Sequence, residues 1–127
     1  MTPVKLILNL PYRNSPLSRI PGELATRLEG VRIIPIGNFD GIRNELFRNP
    51  DYRTLVVLSV ENEAELNGLL DMESFLLGID LILVMPGERS GLRSRARMLR
   101  PRYIATYPEE MEDLPLILEA AVKKIER

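Results

Sequence analysis

Short continuous runs of apolar residues alternate along the chain with segments whose apolar residues recur every three or four positions. The runs occupy residues 4–10, 31–36, 55–60, 81–85 and 103–107. The first four contain few polar residues and show no apolar–polar alternation, which predicts strands that are covered on both faces. Strands of that kind belong to a parallel sheet that lies between layers of helices.

Helical spacing fills the intervals between these runs. In the first interval Ile20, Leu24 and Leu28 lie four residues apart and Pro21 follows the predicted helix start, a position that tolerates proline. In the third interval Asn62 is followed three residues later by Glu65, the spacing of a capping box. The residues expected at the five helix starts are Ser18 or Ile20, Asp40, Asn62, Ser90 and Asp113.

Five strands that alternate with five helices predict a single (βα)5 domain over residues 1–127. Right-handed crossovers leave few topologies, and the favoured one is an α/β, doubly wound, flavodoxin-like parallel sheet of order 2-1-3-4-5, a three-layer sandwich. A site in such a sheet lies at the carboxyl ends of the strands. The segments predicted to meet there are 9–13, 59–61, 85–89 and 107–108.

Composition removes several kinds of chemistry. The 127 residues include no His and no Cys, which excludes a thiolate nucleophile, a Ser-His pair, an imidazole base and a zinc site of the usual kind. We expect no cofactor and no metal. No apolar run approaches the roughly 20 residues of a membrane span, and the apolar run at the N-terminus is too short for a signal peptide. We therefore expect a cytoplasmic protein.

Charge is balanced over the whole chain but not locally. With 17 Lys+Arg against 18 Asp+Glu the net charge is −1, which argues against nucleic-acid binding because that needs a broad basic face. Residues 61–80 hold six acids and no base, whereas residues 88–102 hold six Arg and one Glu. Both blocks have the composition of solvated helix faces or of surfaces that orient a partner.

The layout resembles the receiver domain of bacterial response regulators over essentially the whole chain. Segment 102–114 is similar to the receiver stretch that runs from strand 5 through a Lys-Pro pair into the last helix, with Tyr107 in place of the Lys. The third strand ends at Ser59 where receivers have the phosphoacceptor Asp. Asn9 and Leu10 replace the acid pair that binds magnesium, and Met85 replaces a Ser or Thr. The resemblance thus implies the receiver fold with a degenerate phosphorylation site.

The fourth predicted helix carries the most distinctive surface. Arg93, Arg97 and Arg100 have the i, i+4, i+7 spacing of one helix face. The resemblance implies that partners and dimer mates dock on the face formed by the fourth helix, the fifth strand and the fifth helix. We expect Tyr103 and Glu109 to belong to that face, where arginines of one copy could meet acids of another. Intramolecular surface pairing is the simpler alternative.

Two functional hypotheses follow. The first is a non-catalytic pseudo-receiver that acts in signalling through contact with a protein partner or in a homodimer. The second is a small-molecule or anion-binding domain that uses the strand-end pocket, with Tyr12, Arg13 and Arg89 as possible ligand-binding residues. Polar groups of Asn9, Tyr12, Ser59 and Arg89 that converge on an open pocket would favour the second hypothesis. A pocket filled by Leu10, Met85 and Tyr107 would favour the first.

Overall fold

The computed structural model describes residues 4–10, 15–48, 53–87 and 90–126. Five parallel strands form one sheet in the order β2-β1-β3-β4-β5, which confirms the predicted topology. The strands are β1 (Val4–Asn9), β2 (Arg32–Ile36), β3 (Arg53–Ser59), β4 (Asp80–Pro86) and β5 (Tyr103–Tyr107). Each lies within two residues of the apolar run that predicted it.

Helices follow each strand, as predicted, but the third interval holds two of them. The helices are α1 (Ile20–Ala25), α2 (Phe39–Leu46), α3 (Glu63–Asp71), α4 (Glu73–Leu76), α5 (Ser90–Ala96) and α6 (Leu114–Glu126), and a 3₁₀ turn (Arg97–Leu99) continues α5. The short α4 was not predicted. It extends the buried apolar side of α3 through Met72 and Leu76. Among the described helices, none is long and apolar enough to cross a membrane.

Two apolar layers enclose the sheet. Because side chains alternate across a strand, Leu6 and Leu8 of β1 join the cluster beneath α1 and α6, while Ile7 joins the cluster beneath α2, α3 and α5. The interior strand β1 pairs with both β2 and β3, with Ile7 opposite Ile34 and Val56. This pairing places the ends of β1 and β3 side by side.

Strand β2 departs from the expectation of cover on both faces. Its five residues are exposed or half-buried, because β2 lies at the edge of the sheet and the helices cover it only in part. Pro35 has no N–H to donate, and the edge is where a strand tolerates proline.

The helix starts show which polar residues act as caps. Asn62 Oδ1 accepts from the Glu65 N–H at 2.9 Å, which confirms the predicted cap. The prediction for α2 was wrong by two residues, since Asn38 Oδ1 accepts from the Gly41 N–H at 2.7 Å. Asp40 instead lies in the first turn of α2, where a carboxylate favours the positive helix end.

Of the other predicted helix starts, the one for α1 was wrong and the one for α6 is confirmed. Helix α1 has Arg19 at its N-cap position with no side-chain cap bond, so neither Ser18 nor Ile20 serves there. The Asp113 carbonyl accepts from the Ile117 N–H at 3.0 Å, the first bond of α6, which confirms Asp113 at that start.

Candidate functional site

Asn9 and Ser59 close on each other where β1 and β3 end. Asn9 Oδ1 accepts from the Ser59 N–H at 2.7 Å, and Asn9 Nδ2 donates to the Ser59 carbonyl at 3.2 Å. Both residues are 3% exposed. The Ser59 hydroxyl lies 3.5 Å from Asn9 Oδ1, the longest of the three contacts. The amide of Asn9 is thus used in pairing with backbone and does not face the crevice as a ligand.

Leu10 and Met85 are packing residues. Leu10 is half-buried against the cluster beneath α1 and α6, and its N–H donates to the Ile36 carbonyl at 2.8 Å. Met85 is fully buried in the opposite cluster. Neither side chain lines the pocket at the strand ends, so they do not fill it as the first hypothesis expected. They belong instead to the two apolar layers.

An open pocket of about 480 Å³ lies near Asn9 and Ser59, at the carboxyl ends of β4 and β5. It is lined by Pro16, Glu61, Val84, Pro86, Gly87, Tyr107, Pro108 and Glu109. Asn9 and Ser59 are not among the lining residues, so the polar groups expected to converge there do not do so. Tyr12, Arg13 and Arg89, named as possible ligand-binding residues, lie outside the described residues.

Glu109 lines this pocket. Its Oε2 lies 3.2 Å from where a Cβ on Gly87 would stand, which places the carboxylate over the end of β4. Its place on the partner face stays a prediction. The turns between β5 and α6 separate neighbouring side chains, and Glu110 is the acid that contacts β5.

Metal binding has little support in this part of the molecule. Within residues 4–10, 15–48, 53–87 and 90–126, no cluster of three or more Asp and Glu side chains could hold an ion. The pocket offers two carboxylates, Glu61 and Glu109, among apolar walls. That donor set lacks the further oxygen ligands that magnesium requires from protein or substrate.

A second concave surface, which we call the arginine groove, runs between α5 and β5. It encloses about 400 Å³ and is lined by Arg93, Arg97, Arg100, Pro101, Arg102, Tyr103 and Ile104. The expectation that three arginines share one helix face was wrong. Helix α5 ends at Ala96, and Arg100 follows the 3₁₀ turn in a left-handed conformation, with φ of 54°. The altered backbone still brings the three arginines to one groove.

Two of the four arginines in the groove have partners. Arg93 Nη1 donates to Thr106 Oγ1 at 3.1 Å, and Arg102 pairs with Asp80 at 3.3 Å. Neither Arg97 nor Arg100 forms an ion pair with any residue that the structure describes. The groove therefore presents two guanidinium groups without acidic partners in the described chain.

Glu110 forms a contact with β5 that the sequence pattern does not indicate. Its carboxylate accepts from the Tyr103 hydroxyl and, at 2.8 Å, from the Thr106 N–H on the outer edge of β5. The hydrogen bond from Tyr103 lowers the pKa of Glu110, assisted by Thr106 and opposed by desolvation. The same bond raises the pKa of Tyr103. The i, i+7 spacing of Tyr103 and Glu110 spans a strand and a turn, so no helical or strand pattern could indicate the contact.

We expect Glu110→Gln to remove a pH-dependent contribution to stability. Because the folded pKa is depressed, the contribution is present above the usual pKa of 4.5 and is lost as the pH falls through the folded value. At pH 7 the free energy of unfolding of the wild type should exceed that of the variant by less than about 1 kcal/mol, since the site is close to solvent. The difference should shrink below about pH 4.5. Urea unfolding across this range measures it.

Glu112→Gln is the matched control, because Glu112 is an exposed acid two residues away. The control should follow wild type at every pH. A Glu110→Gln deficit that stays constant down to pH 3 would show that the carboxylate charge is not what stabilises this turn.

Solved structures of other proteins have a similar fold. A pilus assembly protein, CpaE, from Burkholderia thailandensis superposes with a TM-score of 0.67 at 15% identity over 97% of this chain and 98% of its own. A pilus assembly-related protein from Burkholderia pseudomallei superposes with a TM-score of 0.65 at 16% identity, over 96% of this chain and 88% of its own. The signal receiver domain of a diguanylate cyclase from Desulfovibrio desulfuricans superposes with a TM-score of 0.61 at 15% identity, over 98% of this chain and 99% of its own.

No protein-family model and no curated protein matches the chain. Identities of 15–16% bear on the fold alone. Superposition along nearly the full length of each neighbour, together with the 2-1-3-4-5 parallel sheet, leads to one conclusion. The chain has the flavodoxin-like α/β fold of receiver domains.

Proposed function

We propose that this chain is a non-catalytic receiver-like module that is not phosphorylated and that acts in cytoplasmic signalling or regulation through protein contact. The observation that carries the proposal is the pairing of Asn9 with Ser59. In a receiver-like sheet these positions are where the resemblance expects a magnesium ligand and the phosphoacceptor. Here both are buried and bonded to each other.

The chemistry of phosphoryl transfer supports this proposal. Transfer to an aspartate needs a carboxylate nucleophile, a divalent cation and a cationic group to pair with the phosphoryl oxygens. Ser59 has an amide and not a base beside its hydroxyl, and Tyr107 replaces the expected lysine. A serine without an adjacent base is a poor nucleophile.

The arginine groove supports the protein-contact part of the proposal. Arginine and tyrosine are enriched in the residues that dominate binding energy at protein interfaces, and Tyr103 lies beside the unpaired Arg97 and Arg100. A homodimer is one form of this contact. A second protein is favoured because Glu110, one of the acids beside the groove, is already engaged by Tyr103 and Thr106.

The neighbours' names fit a module of this kind. Two of them are named for pilus assembly and one for signal reception. A receiver-like domain without phosphorylation chemistry could serve either setting by holding a partner in place.

We expect no phosphorylation when the chain is incubated with acetyl phosphate and magnesium. Intact-mass spectrometry should show no added phosphoryl group, and titration calorimetry should show no magnesium binding up to about 1 mM, since the described residues include no cluster of three or more carboxylates. An active receiver domain treated in parallel is the control. One stoichiometric phosphoryl adduct on a single residue would refute the proposal.

Small-molecule binding in the strand-end pocket is the second candidate. Its volume of about 480 Å³ falls within the range of ligand pockets. Glu61 and Glu109 line it, so the described part of the pocket favours a neutral or cationic ligand over the anion first considered.

A further inference from the structure

A second pocket lies next to the arginine groove at Arg100. This pocket of about 260 Å³ lies between α4 and the 3₁₀ turn and is lined by Glu73, Leu76, Leu77, Gly78, Ile79, Met98, Leu99 and Arg100. Arg100 also lines the arginine groove, so the two concave surfaces are adjacent. The groove is basic, whereas the second pocket combines apolar side chains with the charged residues Glu73 and Arg100.

The backbone at Arg100 creates this junction. The residue adopts φ of 54° and ψ of 51°, and its N–H donates to the Arg97 carbonyl at 3.0 Å. Glycine or asparagine is the usual residue in that left-handed position. A long cationic side chain there carries a conformational cost, which is a feature often found at functional sites.

The arginine groove has two arginines that can each bind an acidic group. Asp80 balances Arg102, and Arg93 lies near the Glu110 carboxylate. Arg97 and Arg100 are exposed and have no acidic partner among the described residues. A guanidinium binds a carboxylate through two parallel hydrogen bonds, so this pair is suited to two carboxylates.

The apolar part exposes side chains that the fold itself does not bury. Leu77 is 68% exposed and Met98 is 60% exposed, and both line the pocket beside Arg100. Large apolar side chains that rim a concave surface next to charged groups are typical of a protein-binding site.

We propose that the composite surface binds an acidic segment of a partner protein, with two carboxylates on Arg97 and Arg100 and one large apolar side chain between Leu77 and Met98. The inference rests on the proposed function, because it names the partner's chemistry. A simple phosphate ion would leave the exposed Leu77 and Met98 side chains without a contact. Nucleic acid is disfavoured because it needs a broad basic face, and the chain has a net charge of −1.

The test uses fluorescein-labelled synthetic peptides. The probe is Glu-Glu-Asp-Glu-Leu-Phe, made also in reverse order because the direction of binding is open. One control peptide replaces the acids with Gln and Asn, and another replaces Leu-Phe with Ala-Ala. Fluorescence anisotropy against the full chain at low salt measures affinity. Only the complete probe should bind well, and higher salt should weaken it.

Two charge-matched double variants locate the site. Arg97→Glu with Arg100→Glu should weaken binding at least about tenfold, whereas Arg19→Glu with Arg32→Glu, two exposed arginines elsewhere, should stay within about twofold. Leu77→Ser with Met98→Gln should weaken binding about fivefold or more, because it removes the apolar contact without adding charge. All six positions are exposed, so circular dichroism should confirm intact folds.

Several results would overturn the inference. Equal binding by the two arginine double variants would show that Arg97 and Arg100 do not bind the peptide's carboxylates. Full affinity of the Ala-Ala peptide would show that no apolar side chain binds between Leu77 and Met98. Sedimentation that shows a wild-type dimer lost in Arg97→Glu with Arg100→Glu would assign the surface to a second copy. Competition by inorganic phosphate at a concentration comparable to the peptide's Kd would reduce it to an ion site. The acetyl phosphate experiment is independent, so phosphorylation would refute the proposed function without touching the peptide result.

Discussion

Replacing Lys5 with Met is expected to lower the free energy of unfolding by about 3–5 kcal/mol, the cost of breaking one side of a buried ion pair. Lys5 lies in β1 and is 1% exposed. Its Nζ donates to the Glu45 and Arg48 carbonyls, each at 2.9 Å, and lies 3.7 Å from Glu45 Oε1. One ammonium thus caps the carboxyl end of α2 and neutralises a largely buried carboxylate.

Methionine keeps the length and packing of the lysine stem but supplies no donor. The Glu45 carbonyl in the last turn of α2 and the Arg48 carbonyl just beyond it would lose their side-chain donor. Among the described residues, the exposed Arg48, at 4.0 Å, would be the remaining ion-pair partner of Glu45. The largely buried Glu45 carboxylate, left without its ammonium partner, accounts for most of the expected cost. Urea unfolding monitored by circular dichroism at pH 7 gives the difference.

Lys123→Ala is the matched control, because Lys123 forms an exposed pair with Glu119 at 3.1 Å. It should cost no more than about 1 kcal/mol. Adding Glu45→Gln to Lys5→Met should recover part of the loss, since it removes the unpaired charge. A loss below about 1 kcal/mol for Lys5→Met alone would mean that the ammonium does not stabilise the end of α2.

Asn9→Ala should cost about 2–4 kcal/mol, because it leaves the buried Ser59 N–H and carbonyl without the side chain that satisfies them. Equilibrium unfolding in urea measures this loss. The alanine side chain also leaves a small void between β1 and β3, which adds to the cost.

Ser59→Ala separates the backbone contacts from the hydroxyl. The hydroxyl lies at the 3.5 Å limit of a hydrogen bond with Asn9, so its removal should cost less than about 1 kcal/mol. A loss from Ser59→Ala as large as that from Asn9→Ala would assign the stabilisation to the hydroxyl. It would also contradict the conclusion that this position serves the backbone rather than chemistry.

Much of the fold was predictable because strand and helix periodicities are local properties. The apolar runs marked all five strands, and right-handed crossovers then led to the observed order. Local signals failed where two candidates lay close together. Asn38 and Asp40 are both good caps by residue type, and only the backbone conformation, extended at Asn38, decides between them.

The candidate surfaces were less predictable. Helical spacing brought Arg93, Arg97 and Arg100 into one hypothesis, but it could not indicate that the helix ends at Ala96 and that Arg100 turns left-handed. Glu109 and Glu110 are identical in type and adjacent in sequence. The turns before α6 send one to the strand-end pocket and the other to Tyr103.

By itself, the sequence determined the five strands, the helices that follow them apart from α4, and the lack of acids at the positions where receivers bind magnesium and phosphate. Only the tertiary structure decided which side chains meet: Asn9 with Ser59 across 50 positions, Lys5 with the end of α2 across 40, and Arg100 with the pocket between α4 and the 3₁₀ turn. The physical reason is that periodicity records which face of an element is apolar. Contacts between distant elements depend on how those faces pack and on which polar groups need partners once buried.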